Sequence, residues 1–245
     1  MNILLETTNE IAGTSSSNIS PATRNALIIS AVVALVLAVI IFIVTRVAVY
    51  KINKKYADKA KAEAMIQIES LRNDVGLLPF ELKEFFKSKA KDLDVEALIN
   101  TVYRNSYKDV LIIAQNDPFV YAALAQKTKQ DVYFISQDLD LAGIEKAKEQ
   151  FPSEFPHSFK EYKDETIDFL VITNTEKDIN ELFDKYYSKL KPNGMIAAKI
   201  DLFANHEIKS LKNHLYISDI RWEISHLDSK FLFIVKSEII ENKIK

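Results

Sequence analysis

The sequence predicts a mixed α/β domain: a doubly wound, mostly parallel, seven-stranded sheet whose last strand runs antiparallel. One transmembrane helix and a helical linker precede it. Three observations carry this expectation. From Leu93 onward, short apolar runs alternate with helix-length segments. Near the carboxyl end, "DIRWEI" and "KFLFIVK" follow one another across a short Asp-Ser turn, so the two strands must pair antiparallel. Near the amino end, the nineteen residues from Ala26 to Val44 contain no charge.

Taken in chain order, residues 1–25 are rich in Ser, Thr and Asn and read as a disordered extracytoplasmic tail. Asn18-Ile19-Ser20 matches a glycosylation acceptor, a motif of little meaning in so short a tail. Residues 26–50 read as a membrane span, because a bilayer core of about 30 Å needs ~20 apolar residues as helix. Arg46 sits where its stem can snorkel, and Tyr50 where an interfacial aromatic belongs. A cleaved signal peptide would start basic and short, and would offer a small-residue cleavage site. A buried core helix would carry a polar face. The segment has none of these features. Arg24 alone precedes the span, whereas Arg46, Lys51, Lys54, Lys55, Lys59 and Lys61 follow it. The expected partner is therefore the lipid bilayer, through Ala26–Tyr50. The expected location is a cell membrane, crossed once, with the large carboxyl-terminal part cytoplasmic. Residues 51–92 form a basic juxtamembrane stretch and a helical linker, broken at Gly76 and Pro79. Its lysines either touch anionic headgroups or cover a solvated helix.

Residues 93–238 carry the α/β pattern, and 239–245 form a short tail. "LDVEALINTVYRN" places Val95, Leu98, Ile99, Val102 and Tyr103 on one helical face. "DVLIIA" is a continuous apolar run, as in a strand buried on both faces. A helix from Pro118 follows, then the strand "DVYFIS", the helix "LAGIEKAKEQF", and a short strand within "SFKEY". "IDFLVIT" is the fourth strand. The next helix, "TEKDINELFDKYYSKLK", shows an apolar stripe of Ile179, Leu182, Phe183, Tyr186 and Leu190. Thr175 and Asp178 resemble its capping box, and Pro192-Asn193-Gly194 ends it before the strand "MIAAKI". A last helix, "NHEIKSLKNHL", leads to the hairpin, where Ile220, Trp222 and Ile224 share one face.

Composition narrows the chemistry. No cysteine occurs, which excludes disulfides, thiolate metal sites and cysteine nucleophiles. The net charge of −2 carries no nucleic-acid signature. The four histidines lack metal-ligand spacing. Glycine occurs only at Gly13, Gly76, Gly143 and Gly194, so the strand-to-helix turn Ala114-Gln115-Asn116-Asp117-Pro118 contains none.

The strand "IDFLVIT", the helix after it and the turn Leu190-Lys191-Pro192-Asn193-Gly194 resemble a stretch of the class I S-adenosylmethionine-dependent methyltransferases. "LINTVYRN…DVLIIAQ" is similar to the approach to the first strand in small O-methyltransferases. More narrowly, the whole chain resembles membrane-anchored methyltransferase-like proteins of small bacteria. The resemblance spans roughly Leu93 to Ser237 and implies S-adenosylmethionine as cofactor. Family members carry three glycines in the first loop, where Ala114, Asn116 and Pro118 stand here. Ile112 replaces the usual acid before the loop. The resemblance assigns cofactor contacts to Ala114, Gln115, Asn116, Asp117 and Thr173. Ser136 stands at the position of the ribose-binding acid. Asp138 and Asp140 lie nearby, and either substitutes for that acid or starts the next helix, where negative charge is favoured. Thr173 and Lys199 replace the family's metal ligands, so no metal is expected. Asn174, Lys199 and Asp201 are the candidate substrate-side or catalytic residues. Two functions fit: a membrane-anchored S-adenosylmethionine-dependent methyltransferase at the cytoplasmic face, or a degenerate relative serving as a membrane-tethered binding or scaffolding module.

Overall fold

The computed structural model describes residues 20–155, 159–226 and 228–237. Residues 1–19 and 239–245 of the expected tails lie outside these residues, but Pro21–Asn25, read as part of a disordered tail, are helical. The chain divides into two compact units, Met1–Glu63 and Ala64–Lys245.

The described part of the first unit is helical. Helix α1 (Pro21–Leu71) opens with proline at its first position, where a missing N–H costs nothing. Ser20 caps it, its Oγ accepting from the Thr23 backbone N–H at 3.2 Å. Pro21–Tyr56 is long and apolar enough to cross a membrane, and no residue of its most apolar stretch is buried against protein. The helix begins five residues earlier than the expected span and runs on past Tyr50.

In the second unit α1 ends at Leu71, and Gly76 turns the chain with a φ of 78°. Helix α2 (Phe80–Phe85) and helix α3 (Asp92–Asn105) follow. Leu78 and Leu82, from the segment read as linker, are buried in the same core as Val95, Leu98, Ile99 and Val102 of α3. The remaining elements are β1 (Asp109–Ala114), α4 (Pro118–Thr128), β2 (Asp131–Phe134), α5 (Leu141–Gln150), β3 (Phe159–Glu161), β4 (Ile167–Asn174), α6 (Ile179–Tyr187), β5 (Leu190–Lys199), α7 (Asn205–Ile217), β6 (Arg221–His226) and β7 (Lys230–Val235).

The seven strands form one sheet in the order β3-β2-β1-β4-β5-β7-β6. β1 pairs parallel with β2 and β4, β2 with β3, and β4 with β5. β7 inserts antiparallel between β5 and β6. Strand alternation sends Val110, Ile112 and Ala114 to one face of β1, against α3 and α4. Leu111 and Ile113 go to the other face, which α6 and α7 cover. Order reverses between β1 and β4, so the crevice beyond their carboxyl ends is where an open α/β sheet binds ligands.

Two local expectations are corrected. Helix α6 is capped by Asp178, whose carboxylate accepts from the Asn180 backbone N–H, and not by Thr175. It ends at Tyr187, so Pro192-Asn193-Gly194 does not terminate it. Those residues form a bulge inside β5, where the register against β4 jumps from Leu190 opposite Ile167 to Met195 opposite Phe169. Asn193 supplies the left-handed conformation, with a φ of 62°. Gly194 supplies room: a Cβ there would lie 2.9 Å from the carbonyl oxygens of Asp168 and Lys191. The bulge is held by Asn193 N–H donating to Lys236 O and Lys236 N–H donating to Gly194 O, each at 2.9 Å.

Candidate functional site

The switch-point crevice is built from the ends of β1, β2, β4 and β5. Ala114 closes β1, fully buried. Asn116 takes the left-handed conformation, with a φ of 57°, which asparagine tolerates better than most residues. Pro118 then opens α4 at its first position. The chain makes this turn without glycine, but not without internal ties. Gln115 N–H donates to Asn174 O at 2.9 Å, and the Asn174 side-chain amide donates back to Gln115 O at 2.6 Å. On the other side, Asn116 N–H donates to Asp138 O at 2.8 Å. The loop is thus tied to the end of β4 and to the turn after β2. Beneath it, the buried Tyr121 hydroxyl donates to Ile112 O at 2.5 Å. Burial pushes that hydroxyl's pKa up, so it stays a donor.

The two acids after β2 have different environments. Asp140 caps α5, its Oδ1 accepting from Ala142 N–H at 3.1 Å. Asp138 closes a 3-10 turn that starts at the half-buried Ser136. It is 7% exposed, and its Oδ2 is buried with no hydrogen-bond partner. A carboxylate oxygen held out of water without a donor costs free energy, and donors arriving on a ligand would offset that cost.

A cavity of about 160 Å³ opens between the end of β4, the end of β5 and the start of α3. It brings together Asp117, Thr173, Asn174 and Lys199. Ala114, Gln115, Asn116, Ser136, Asp138 and Asp201 lie outside its lining. The Thr173 hydroxyl is buried there without a partner. Asp117 accepts from the Ser88 hydroxyl at 2.8 Å. Burial pushes its carboxyl above the ordinary carboxylate value, and that hydrogen bond and the charges of Lys83 and Lys199 only partly reverse the shift. Asp201 sits exposed in the 3-10 turn after β5. Ser88, Lys89, Lys91 and Asp94 also reach this end of the sheet, from the segment before and at the start of α3. Sequence reasoning missed them, because "SKAKDLD" has neither periodicity nor a motif. Among the described residues, no group of three or more His, Asp or Glu is placed to hold a metal ion.

No family model matches the sequence, and no curated protein matches it. Solved structures do match the fold. A methyltransferase of Podospora anserina, solved with S-adenosylhomocysteine bound, aligns with a TM-score of 0.52 at 11% identity, over 76% of this chain and 97% of that one. The domain has the class I methyltransferase fold. An O-methyltransferase of Bacillus cereus in complex with S-adenosylhomocysteine aligns at 12% identity and a TM-score of 0.48, over 69% of this chain and 100% of that one. A methyltransferase of Geobacter sulfurreducens aligns at 13% and 0.48, over 66% and 93%.

Measured against S-adenosylmethionine, the crevice fits in one part and not in another. The Asp138 oxygen beside the β1 loop lacks a donor, as an acceptor for a diol would, but it is buried and lies outside the 160 Å³ cavity. The Asn116–Asp138 bond, however, uses a loop N–H inside the protein. The adjoining 160 Å³ cavity, which Asp138 does not line, is also smaller than the roughly 300 Å³ at which small-molecule sites begin.

Proposed function

We propose that the chain is an S-adenosylmethionine-dependent methyltransferase held at a membrane by α1, with the sheet domain on the cytoplasmic side. The observation that carries the activity is the buried, unpartnered carboxylate oxygen of Asp138, at the switch point of a methyltransferase-fold sheet. When bound, the cofactor supplies an electrophilic methyl group. Methyl transfer from a sulfonium asks little of acids and bases, so positioning supplies much of the rate. In this reading Asp138 accepts from the ribose hydroxyls, with Ser136 beside it. Ala114, Gln115, Asn116 and Asp117 shape the loop facing the methionine part, and Thr173 borders it from β4. Asn174, Lys199 and Asp201 face the acceptor. The apolar helix and the lysines and arginine after it support the anchoring and the orientation.

A second reading is favoured by one observation. The loop already spends the Asn116 N–H on Asp138 O, which suits a fold retained as a membrane-tethered binding or scaffolding module. Calorimetric titration of the full-length chain in lipid nanodiscs with S-adenosylhomocysteine separates the two. The methyltransferase reading expects saturable heat that Asp138→Ala weakens about tenfold or more, the loss of a charge-assisted hydrogen bond. No heat at millimolar ligand, from a sample with folded circular dichroism, leaves the second reading standing. For the topology, protease applied to intact cells should spare the sheet domain. Digestion of that domain would reverse the orientation.

A further inference from the structure

A second, larger cavity lies at the other end of the sheet, with a volume of about 480 Å³, within the range of small-molecule sites. Its floor is set by strand register. Met195 of β5 pairs with Val235 of β7, and Val235 pairs with Arg221 of β6. One step along, Phe233 pairs with Glu223. The alternation of side chains puts Met195, Val235, Phe233, Arg221 and Glu223 on one face. On the opposite face α7 packs against β6, with Lys212 over the Trp222 ring. On the first face Met195 and Phe233 are only partly buried against the core, and α3 forms the far wall, bringing Arg104 from its last turn.

The charge of this groove is unspent. Arg104 and Arg221 have no hydrogen bond or ion pair among the described residues. Arg72, by contrast, is buried and satisfied by Asp74, Glu96 and Asn100. The chain has only five arginines against 27 lysines, yet two of the five line this one cavity. Guanidinium differs from ammonium in presenting a planar fork that matches carboxylate or phosphate. Beside the two forks, Met195, Phe233 and Val235 offer an apolar bed, and Glu223 offers one acceptor.

We propose that this groove binds a small organic anion, a carboxylate or phosphate carried on an apolar body. The anionic head lies between Arg104 and Arg221, and the body lies on Met195, Phe233 and Val235. A ligand hydroxyl or amine reaches Glu223. The site is separate from the switch-point crevice, because Arg221 opens β6 and Val235 closes the antiparallel β7, away from the carboxyl ends of β1 and β4.

The test is calorimetry on the full-length chain in phosphatidylcholine nanodiscs, with 1-naphthyl phosphate and 1-naphthoate as probes. Inorganic phosphate and 1-naphthol supply head and body alone. Both probes should bind saturably and more tightly than either fragment, and the tighter probe identifies the head group. Arg104→Gln and Arg221→Gln should each weaken the probes by about tenfold or more, the loss of one charge-assisted pair. Lys209→Gln, at an exposed position of α7, should not. Both arginines are exposed, so folding survives their replacement. The proposal is overturned by unchanged affinity in both arginine variants, by 1-naphthol binding as tightly as the anions, or by no heat at millimolar probe from folded protein.

Discussion

Asp168 offers the sharpest test of what holds the methyltransferase-fold sheet together. Its Oδ2 accepts from two backbone N–H groups, Lys108 at 2.9 Å and Asp109 at 3.0 Å, which join the start of β4 to the start of β1. Its Oδ1 lies 3.1 Å from the Lys191 ammonium, which also pairs with Asp109. Burial alone would raise the Asp168 carboxyl, but the two backbone donors and Lys191 more than reverse it, so the pKa lies below the ordinary value of 3.8. Hydrogen bonds to a charged acceptor contribute about 1.5–3 kcal/mol each. The Lys108 N–H is exposed and regains water when its partner is lost, and Lys191 is 35% exposed, so its ion pair adds only ~0–1 kcal/mol. Asp168→Ala should therefore cost about 2–4 kcal/mol. Asp168→Asn keeps an oxygen for the two N–H groups but turns an amide toward Lys191, and should cost roughly 1–2 kcal/mol. The pH dependence has a definite sign. A depressed carboxyl stabilises the fold above its unfolded pKa, and that stabilisation is lost as pH falls through the folded pKa. The gap between the native chain and Asp168→Asn should stay constant from neutral pH down to about pH 5, then narrow. Trp222, the chain's one tryptophan, reports unfolding in urea from a half-buried place on β6. A gap under about 0.5 kcal/mol at neutral pH, or one that widens in acid, refutes the reasoning.

Three further outcomes follow from other sites. Gly194→Ala puts a methyl 2.9 Å from two backbone oxygens, so urea titration should show a loss of about 1–3 kcal/mol from overpacking. Arg72→Ala strands the buried Glu96, its partner at 2.9 Å, and should cost about 3–5 kcal/mol. Adding Glu96→Gln should return part of that loss, because the unpaired charge is gone. A double variant no more stable than Arg72→Ala would assign the cost to lost packing instead. Asp138→Ala should leave the urea midpoint unchanged or raise it, because its Oδ2 has no partner to lose. A marked drop would give Asp138 a structural role and remove the support for a ribose contact.

The fold was legible where a residue pattern states its environment directly. "DVLIIA" is buried on both faces and reads as a continuous apolar run, and the short turn between "DIRWEI" and "KFLFIVK" leaves only an antiparallel hairpin. The turn Leu190–Gly194 was equally legible as a motif, although its placement after a helix hid the β-bulge. That motif reports on the amino-terminal end of the sheet. Lys191 clasps Asp109 and Asp168 there, and Gly194 clears two carbonyls. It explains why the chain folds as it does and says nothing about the opposite end, where an open α/β sheet binds ligands.

The site was less legible for three physical reasons. Asp138 and Asp140 look alike in sequence, and only a three-residue 3-10 turn, too short for any periodicity, buries the first and leaves the second capping α5. Lys89 and Lys91 arrive from a patternless segment before α3. The tie that matters most, Asn116 N–H to Asp138 O, runs between backbone atoms, which side-chain identity does not encode. A lost glycine is visible in a sequence; the partner taken by the N–H beside it is not. Fold leaves activity open, and the two functional readings therefore divide on this pair. If Asn116 releases Asp138, the crevice widens onto an acceptor already waiting for donors. If it does not, the same bond makes the loop a piece of structure.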